Sequence, residues 1–387
     1  MKILQVLTYY RPHTSGLTIY VERLSKALAA RGHQVTVLTS RFDPRTPRDE
    51  VAEGVRVVRV PVAARVSKGV LMPGFGFVAT RLVRRHDVAH LHLPQFDAAG
   101  VALRARLFGR PAVLTYHCDL QLPPGPGNRA VNRVVHLMNG IAAAAAHRIV
   151  TYTRDFADHS PFLRHRRAKV ETILPPVELP PTEPGAARRL AEALGLDGRG
   201  PVIGMATRLA SEKGVEVLLG ALPRILDAHP HATVLFAGQH RDVMGEQAYL
   251  DRLAPAIDRL RAAGRWHFLG TLSPVEMAAY YPNLDLLTVP SLNSTESFGL
   301  VQIEAMMHGV PVVASNLPGV RQPVAMTGMG AVAAIGDPDD LAAKILEVLA
   351  DRERFAGDPQ AVARRFAPDA CAAGYEALFE SLGAGGG

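Results

Sequence analysis

Cysteine, tryptophan and long apolar runs are what this 387-residue chain has least of. Its two cysteines, Cys118 and Cys371, stand far apart and form no metal-ligand spacing. That excludes a disulfide framework and makes a reducing cytoplasm the expected home. No stretch reaches about 18 apolar residues without a charge, because the alanine-rich run Ile141–Ala146 stops at His147 and Arg148, so no membrane-spanning helix is expected. The apolar run at Met1–Thr8 is too short for a signal peptide and has no small-residue cleavage site. Aromatics make up only 6%, and no helix-turn-helix, zinc-finger or RNP-like signature occurs, which sets nucleic acid aside as a partner. Acidic side chains are the minority: 36 Asp and Glu against 43 Lys and Arg leave a net charge of +7. Such a balance suits an anionic ligand or an anionic membrane surface, and is equally what a high-GC genome, which favours arginine, would write.

What is present is an ordinary globular composition, 48% hydrophobic and 20% charged, at a length that suggests two or three domains. Lys2–Thr8 reads as a buried strand, followed by the loop Tyr9–Gly16, a helix with Val21, Leu24 and Leu28 on one face, and a strand from Gln34 to Ser40. Strand, helix and strand within about 40 residues make a βαβ unit, and its first loop falls at the carboxyl edge of a parallel sheet, where ligands bind. That loop carries His13, Thr14 and Gly16. A glycine there admits close backbone approach, although most such glycines serve only a turn. Val55–Val60 and Asp87–Pro94 read as further strands, with Ala63–Phe77 between them as a mobile loop running into a helix over Val78–Arg85. His90 and His92 alternate with apolar residues and so face one side, as cleft lining or as structure. Pro111–Tyr116 leads to His117 and Asp119 at the expected ligand edge, where a packed strand-end histidine is the plainer alternative. Asn128–Ala146 is a long helix, with His147–Thr151 and Lys169–Leu174 as the last strands of this half. The proline-dense span Pro175–Pro184 then reads as an interdomain hinge.

The second half repeats the alternation. Pro201–Ala206 runs into a turn bearing Arg208 and Lys213, two cations suited to a diphosphate, the first as a fork and the second as a point charge. Taken alone they fit a solvated turn as well. His231–Gly238, Arg265–Gly270, Asp285–Pro290 and Val310–Ser315 are further strands. Between the last two lies a polar loop containing Glu296 and then a helix containing Glu304, closed by Gly309. If helical spacing holds, the two carboxylates lie about 12 Å apart along the axis. The free amides of a helix start lie between them, a seat for phosphate. Two glutamates eight apart are common on solvated helices, so the spacing gains meaning only from Arg208, Lys213 and the second sheet.

With Thr207-Arg208-Leu-Ala-Ser-Glu-Lys213-Gly214, Glu296-Ser-Phe-Gly-Leu-Val-Gln-Ile-Glu304-Ala, Gly309-Val-Pro-Val-Val-Ala-Ser315, Arg31-Gly-His-Gln-Val35 and Tyr116-His117 in order, the chain resembles the retaining glycosyltransferases of family 4 over nearly its whole length. The resemblance implies an α/β GT-B fold, with two facing Rossmann-like domains, parallel sheets and a deep interdomain cleft. Residues 1–177 would form the acceptor-side domain, joined in space by the C-terminal helix 366–387, and residues 178–365 the nucleotide-sugar donor domain. It implies a hexosyltransferase moving sugar from a UDP- or GDP-sugar to a hydroxyl acceptor, whether lipid-linked, polysaccharide or small molecule. Residue by residue, Glu296 would hold donor-sugar hydroxyls and Glu304 the ribose. Arg208 and Lys213 would bind the diphosphate and stabilise the departing charge. Gly16, with the amides of Phe298, Gly299 and Leu300, would meet phosphate or donor oxygens, and His117 would lie beside the sugar's C6 end and the acceptor. His13, Thr14, His92 and Asp119 are the acceptor-side candidates.

No cofactor or metal is expected, since the two cations supply charge, and closure about the hinge would exclude water. The loop Ala63–Phe77 and the arginines of Arg81–Arg85 are expected to shape the acceptor side and to offer peripheral contact with the inner face of a membrane. Three positions depart from the family pattern: Ser15-Gly16 replaces paired glycines, Pro175-Pro176-Val177 replaces Pro-Asn-Gly, and Gln322 stands where an acid is common. The rival readings are a nucleotide-sugar-binding protein without turnover and a sugar phosphorylase, for which no pyridoxal-lysine motif is found.

Overall fold

The computed structural model describes residues 1–66, 69–120, 126–196, 198 and 200–383, and the chain divides into two compact units. Met1–Pro176 with Phe366–Gly387 form unit 1, and Val177–Arg365 form unit 2.

Unit 1 contains strands β1 (Lys2–Val6), β2 (Gln34–Arg41), β3 (Asp49–Ala52), β4 (Val55–Pro61), β5 (Ala64–Val66), β6 (Gly69–Leu71), β7 (Val88–Leu93), β8 (Ala112–Tyr116), β9 (Arg148–Thr151) and β10 (Val170–Thr172). Eight of them form one sheet in the order β10-β9-β8-β7-β1-β2-β4-β3, parallel except for β3 against β4. After β1 the chain builds outward through β2, then returns to add β7 on the other side of β1. The loops leaving β1 and β7 therefore diverge, and that switch point opens a crevice at the sheet's carboxyl edge. Every residue of β7 is buried, as a central parallel strand requires. Leu91 and Leu93 enter the apolar core, while His90 and His92 lie on the opposite face with Gln5 and Thr115. That face is covered by helix Gly16–Ala30 and the final helix Pro368–Gly383, whose Tyr375 hydroxyl bonds to those of Tyr20 and Thr115, both at 2.7 Å.

Two expectations for this half need correction. Ala63–Phe77 is not a loop throughout: β5 and β6 pair antiparallel as a hairpin, with Ser67 and Lys68 outside the described residues. The following helix starts at Phe75 rather than Val78 because Phe75 packs into the core at 5% exposure, and periodicity alone placed the start too late. Strand β3 was not foreseen, being an exposed, charged edge strand without an apolar alternation.

Unit 2 has β11 (Val202–Ala206), β12 (Thr233–Ala237), β13 (Trp266–Gly270), β14 (Leu286–Val289), β15 (Val312–Ser315) and β16 (Gly330–Ala333). They form a fully parallel sheet in the order β13-β12-β11-β14-β15-β16. Its switch point lies between β11 and β14, so the loop with Arg208 and Lys213 and the loop with Glu296 flank one crevice. No helix or strand is formed between Thr172 and Ala186. The glycine-rich tail beyond Gly383 lies outside the described residues.

Candidate functional site

In unit 2 the loops after β11 and β14 are fastened by backbone. Gly214 has φ +68°, and a Cβ on it would stand 2.1 Å from the Pro290 carbonyl oxygen. Only glycine permits that approach. Next to it the Leu292 amide donates to the Glu212 carbonyl at 2.9 Å. On the other side, Thr207 and Leu209 amides donate to Ala237 and Gln239 carbonyls, both at 2.8 Å. Asn293 forms a turn, its side chain accepting from the Thr295 amide and its carbonyl from the Glu296 amide. These contacts bring Lys213 to Glu296, with Nζ donating to Oε2 at 2.7 Å and the side chains 13% and 23% exposed. Half-buried and charge-assisted, the pair is stronger than a surface bridge. Arg208 stands further out, 51% exposed, and bonds Glu212 at 3.2 Å.

The stretch following Glu296 differs from the expectation of a continuous helix between the carboxylates. The helix spans only Leu300–Met306, with Gly299 as its N-cap at φ +79°. Half of the interval from Glu296 to Glu304 is therefore loop, and the 12 Å axial separation does not apply. The cause is local: Gln302 folds back so that its amide donates to the Phe298 and Val320 carbonyls, and a Cβ on Gly299 would meet that amide at 2.8 Å. Phe298 is buried at 1%. Glu304 is 7% exposed and accepts from the Tyr281 hydroxyl at 2.9 Å. Such a buried carboxylate is costly unless hydrogen-bonded.

Unit 1 gathers the remaining candidates at its own switch point. Ser15 caps helix Gly16–Ala30 by accepting from the Thr18 amide. A Cβ on Gly16 would meet nothing within 4 Å, so packing does not demand glycine there. Thr14 accepts from Arg11 at 3.0 Å, and His13 packs beside Tyr9 and Phe42. His92 and His117 are joined, Nδ1 to Nε2, at 2.9 Å. The direction follows from chemistry: Gln5 Oε1 only accepts, so His92 Nε2 donates to it at 2.7 Å. His92 Nδ1 therefore accepts from His117 Nε2, and His117 Nδ1 accepts from the Tyr152 hydroxyl. Burial keeps both rings neutral, holding His117 down at about 3 and His92 well below its ordinary value, with the neighbouring histidines adding to the second. Both nitrogens of His117 are thus engaged within the protein. Asp119 is 5% exposed and accepts at Oδ1 from Tyr116 and Ser160.

Between the exits of β1 and β7, hairpin β5–β6 and helix Pro126–Ala145 lies a cavity of about 480 Å³. His13 and His92 line it, and so do residues that sequence reasoning passed over: Gln95 and Asp97 beyond β7, Val70 on the hairpin and Val135 on the helix. The available signal was position, since Gln95 and Asp97 directly follow β7 at the ligand edge. The valines carry no signal beyond apolarity. Among the described residues no group of three or more His, Cys, Asp or Glu gathers to hold a metal ion, and no helix is long and apolar enough to cross a membrane.

Against known proteins, residues 187–361 match the family described as "Glycosyl transferases group 1", and residues 15–176 the "Glycosyl transferase 4-like domain". The chain is 31% identical to a glycogen synthase of Mycobacterium tuberculosis, over 94% of this chain and 88% of that protein. It is 29% identical to a D-inositol 3-phosphate glycosyltransferase of Segniliparus rotundus, over 96% and 85%. Among solved structures it superposes on Anabaena HepE in complex with UDP with a TM-score of 0.78 at 22% identity, covering 98% of this chain and all of that one.

Proposed function

The chain belongs to the group 1 glycosyltransferases of GT-B fold, and we propose that it moves a sugar from a nucleotide-diphosphate donor to an acceptor hydroxyl with retained anomeric configuration. The observation that carries this reading is the Lys213–Glu296 pair, pinned at the unit 2 switch point by the Gly214–Pro290 approach, with buried Glu304 on the same chain segment. Glu296 keeps Oε1 for donor-sugar hydroxyls while Oε2 bonds Lys213. Lys213 and the exposed Arg208 face the diphosphate, and Glu304 takes the ribose. The amides of Phe298, Gly299 and Leu300 offer donors to phosphate from a glycine-turned loop, so their contribution rests on local N–H geometry more than on the dipole of a two-turn helix.

As the anomeric bond breaks, negative charge grows on the leaving diphosphate. Fixed cations placed there lower the barrier without rearranging, which is usually the largest catalytic contribution. The leaving phosphate takes the acceptor proton on the same face, so no protein base is required. His117, neutral and held by His92 and Tyr152, acts here as a positioning residue. In this reading Arg208 and Lys213 supply the charge that a metal would otherwise bring to the phosphate, so the proposed reaction uses none. Exposed Phe77 and the exposed arginines Arg81, Arg84 and Arg85 on helix Phe75–Arg85 support peripheral contact with anionic lipid, which flotation with anionic liposomes tests.

The deciding experiment is a transfer and donor-hydrolysis assay with UDP-, GDP- and ADP-sugars, run on the wild-type protein and on Glu296→Ala. We expect turnover of one donor class and a loss of about a hundredfold in the variant. Undiminished transfer by the variant removes Glu296 from the site, and binding without turnover favours a non-enzymatic nucleotide-sugar protein.

A further inference from the structure

The cavity of unit 1 is built differently from a site for a sugar or a polyol. Leu17, Val70, Leu71, Leu120, Val131 and Val135 supply its walls, and at about 480 Å³ it falls in the range of a compact small-molecule pocket, about 300–1,000 Å³. A hydroxyl-covered ligand would lose its water to these side chains with little returned. Thr8, His13, Ser15 and His92 add polar groups to the lining, and one further polar residue stands apart. Gln95 is 3% exposed, and neither its Oε1 nor its Nε2 has a hydrogen-bond partner. Its backbone amide is held by Asn139 at 3.3 Å, so the residue is anchored while the carboxamide is unpaired. A buried, unpaired carboxamide is destabilising, and a hydrophobic residue of similar shape would avoid that cost. Both atoms are covered while the cavity is empty, so a ligand would pair them by drawing the side chain toward it, which accounts for a carboxamide kept unpaired beside an apolar cavity.

Two residues on, Asp97 repeats the pattern. It occupies the N-cap position of helix Ala98–Leu107, yet its side chain makes no capping bond there. It also lines the cavity, and burial raises its carboxyl to about 6. A carboxamide and an uncompensated carboxyl thus belong to the lining of a mainly apolar space.

We propose that this cavity binds the acceptor, and that the acceptor is an apolar body bearing a hydroxyl group, its hydroxylated edge set against Gln95 and Asp97. The inference rests on the transferase reading for the word acceptor, whereas the ligand chemistry rests on the cavity alone. The apolar body can be a compact ring system or the first carbons of a lipid alcohol, and both present the same chemistry to this wall.

The test is calorimetric titration of the full-length protein with 7-hydroxy-4-methylcoumarin, its analogue 4-methylcoumarin without the hydroxyl, 1-dodecanol, and myo-inositol. We expect the hydroxycoumarin or dodecanol to bind and myo-inositol not to. Preference for the first identifies a ring system, and preference for the second a lipid alcohol. Gln95→Leu should weaken the hydroxycoumarin at least tenfold while leaving 4-methylcoumarin unchanged, and should not lower the melting temperature. Val135→Trp, which fills the cavity, should abolish both. Myo-inositol binding more tightly than the apolar alcohols overturns the proposal, and so does a Gln95→Leu protein that binds both coumarins as the wild type does. Titrating the wild-type protein with nucleotide sugars separates the two readings. If nucleotide sugars bind and no apolar alcohol does, the cavity inference alone falls. If only the apolar alcohols bind, the transferase reading falls and the cavity stands as a small-molecule site.

Discussion

Mild acid should unfold unit 1 before unit 2. His90, His92 and His117 sit on one buried face of the first sheet, and burial holds His90 and His117 down at about 3 and His92 well below its ordinary value. An unfolded histidine titrates near pH 6.5. Below that pH the unfolded chain takes up a proton that the folded chain refuses, so stability is intact above about pH 6.5 and falls as the pH drops. The loss is about 1.4 kcal/mol per pH unit per histidine, or about 2 kcal/mol each between about pH 7 and about pH 5. Three such groups remove about 6 kcal/mol from a domain whose whole stability is about 5–15 kcal/mol. Asp97, raised to about 6, offsets part of this, because its burial cost is relieved on protonation. In unit 2 His240 is pushed down as well, but it is only partly buried. The chain's single tryptophan, Trp266, is 2% exposed in unit 2. Urea unfolding followed by its fluorescence therefore reports unit 2, while far-UV ellipticity reports both. At about pH 5 ellipticity should show an early phase at lower urea, with the fluorescence midpoint nearly unmoved. Midpoints that shift together, or an early phase that stays where it was at neutral pH, would refute the argument that these three rings stay neutral.

Gly214→Ala should destabilise unit 2 by more than about 1 kcal/mol, through a left-handed φ and a clash with the Pro290 carbonyl, read as a lower fluorescence midpoint in urea. The same variant should lose transfer, because Lys213 no longer reaches Glu296. Asp97→Asn should raise the melting temperature at pH 7 and lose that gain near pH 4, since the burial penalty on the carboxyl builds up between its ordinary value of about 4 and its raised value of about 6 and is complete only above the latter; calorimetry across pH checks this. Tyr375→Phe should cost unit 1 about 1–3 kcal/mol, seen in the ellipticity phase alone, by leaving the buried Tyr20 and Thr115 hydroxyls short of a partner.

The parallel strands were legible because buried strands are short, apolar and β-branched, as at Val202–Ala206 and Leu286–Val289. The switch-point loops were legible too, since polar residues such as Arg208 and Glu296 break those runs at the carboxyl edge. That Lys213 meets Glu296 was not, because it depends on a backbone approach at Gly214 between segments about 80 residues apart. His117 was placed correctly just past β8, but its partners come from elsewhere in the chain, His92 from β7 and Tyr152 from the residue after β9, so its engagement escaped any local pattern. The cavity escaped for another reason. Val70, Val131 and Val135 look like core residues, and only the fold reveals that they line a cavity.

The final helix has a consequence for biogenesis. Tyr375 covers the face carrying Tyr20 and Thr115, yet it leaves the ribosome only after all of unit 2, some 355 residues after Tyr20. At about 5–20 residues per second, unit 2 alone takes roughly 10–40 s to synthesise. Throughout that time the first sheet exists without its last cover, and its buried polar network stands open to water. The first unit to be made is therefore the last to be completed.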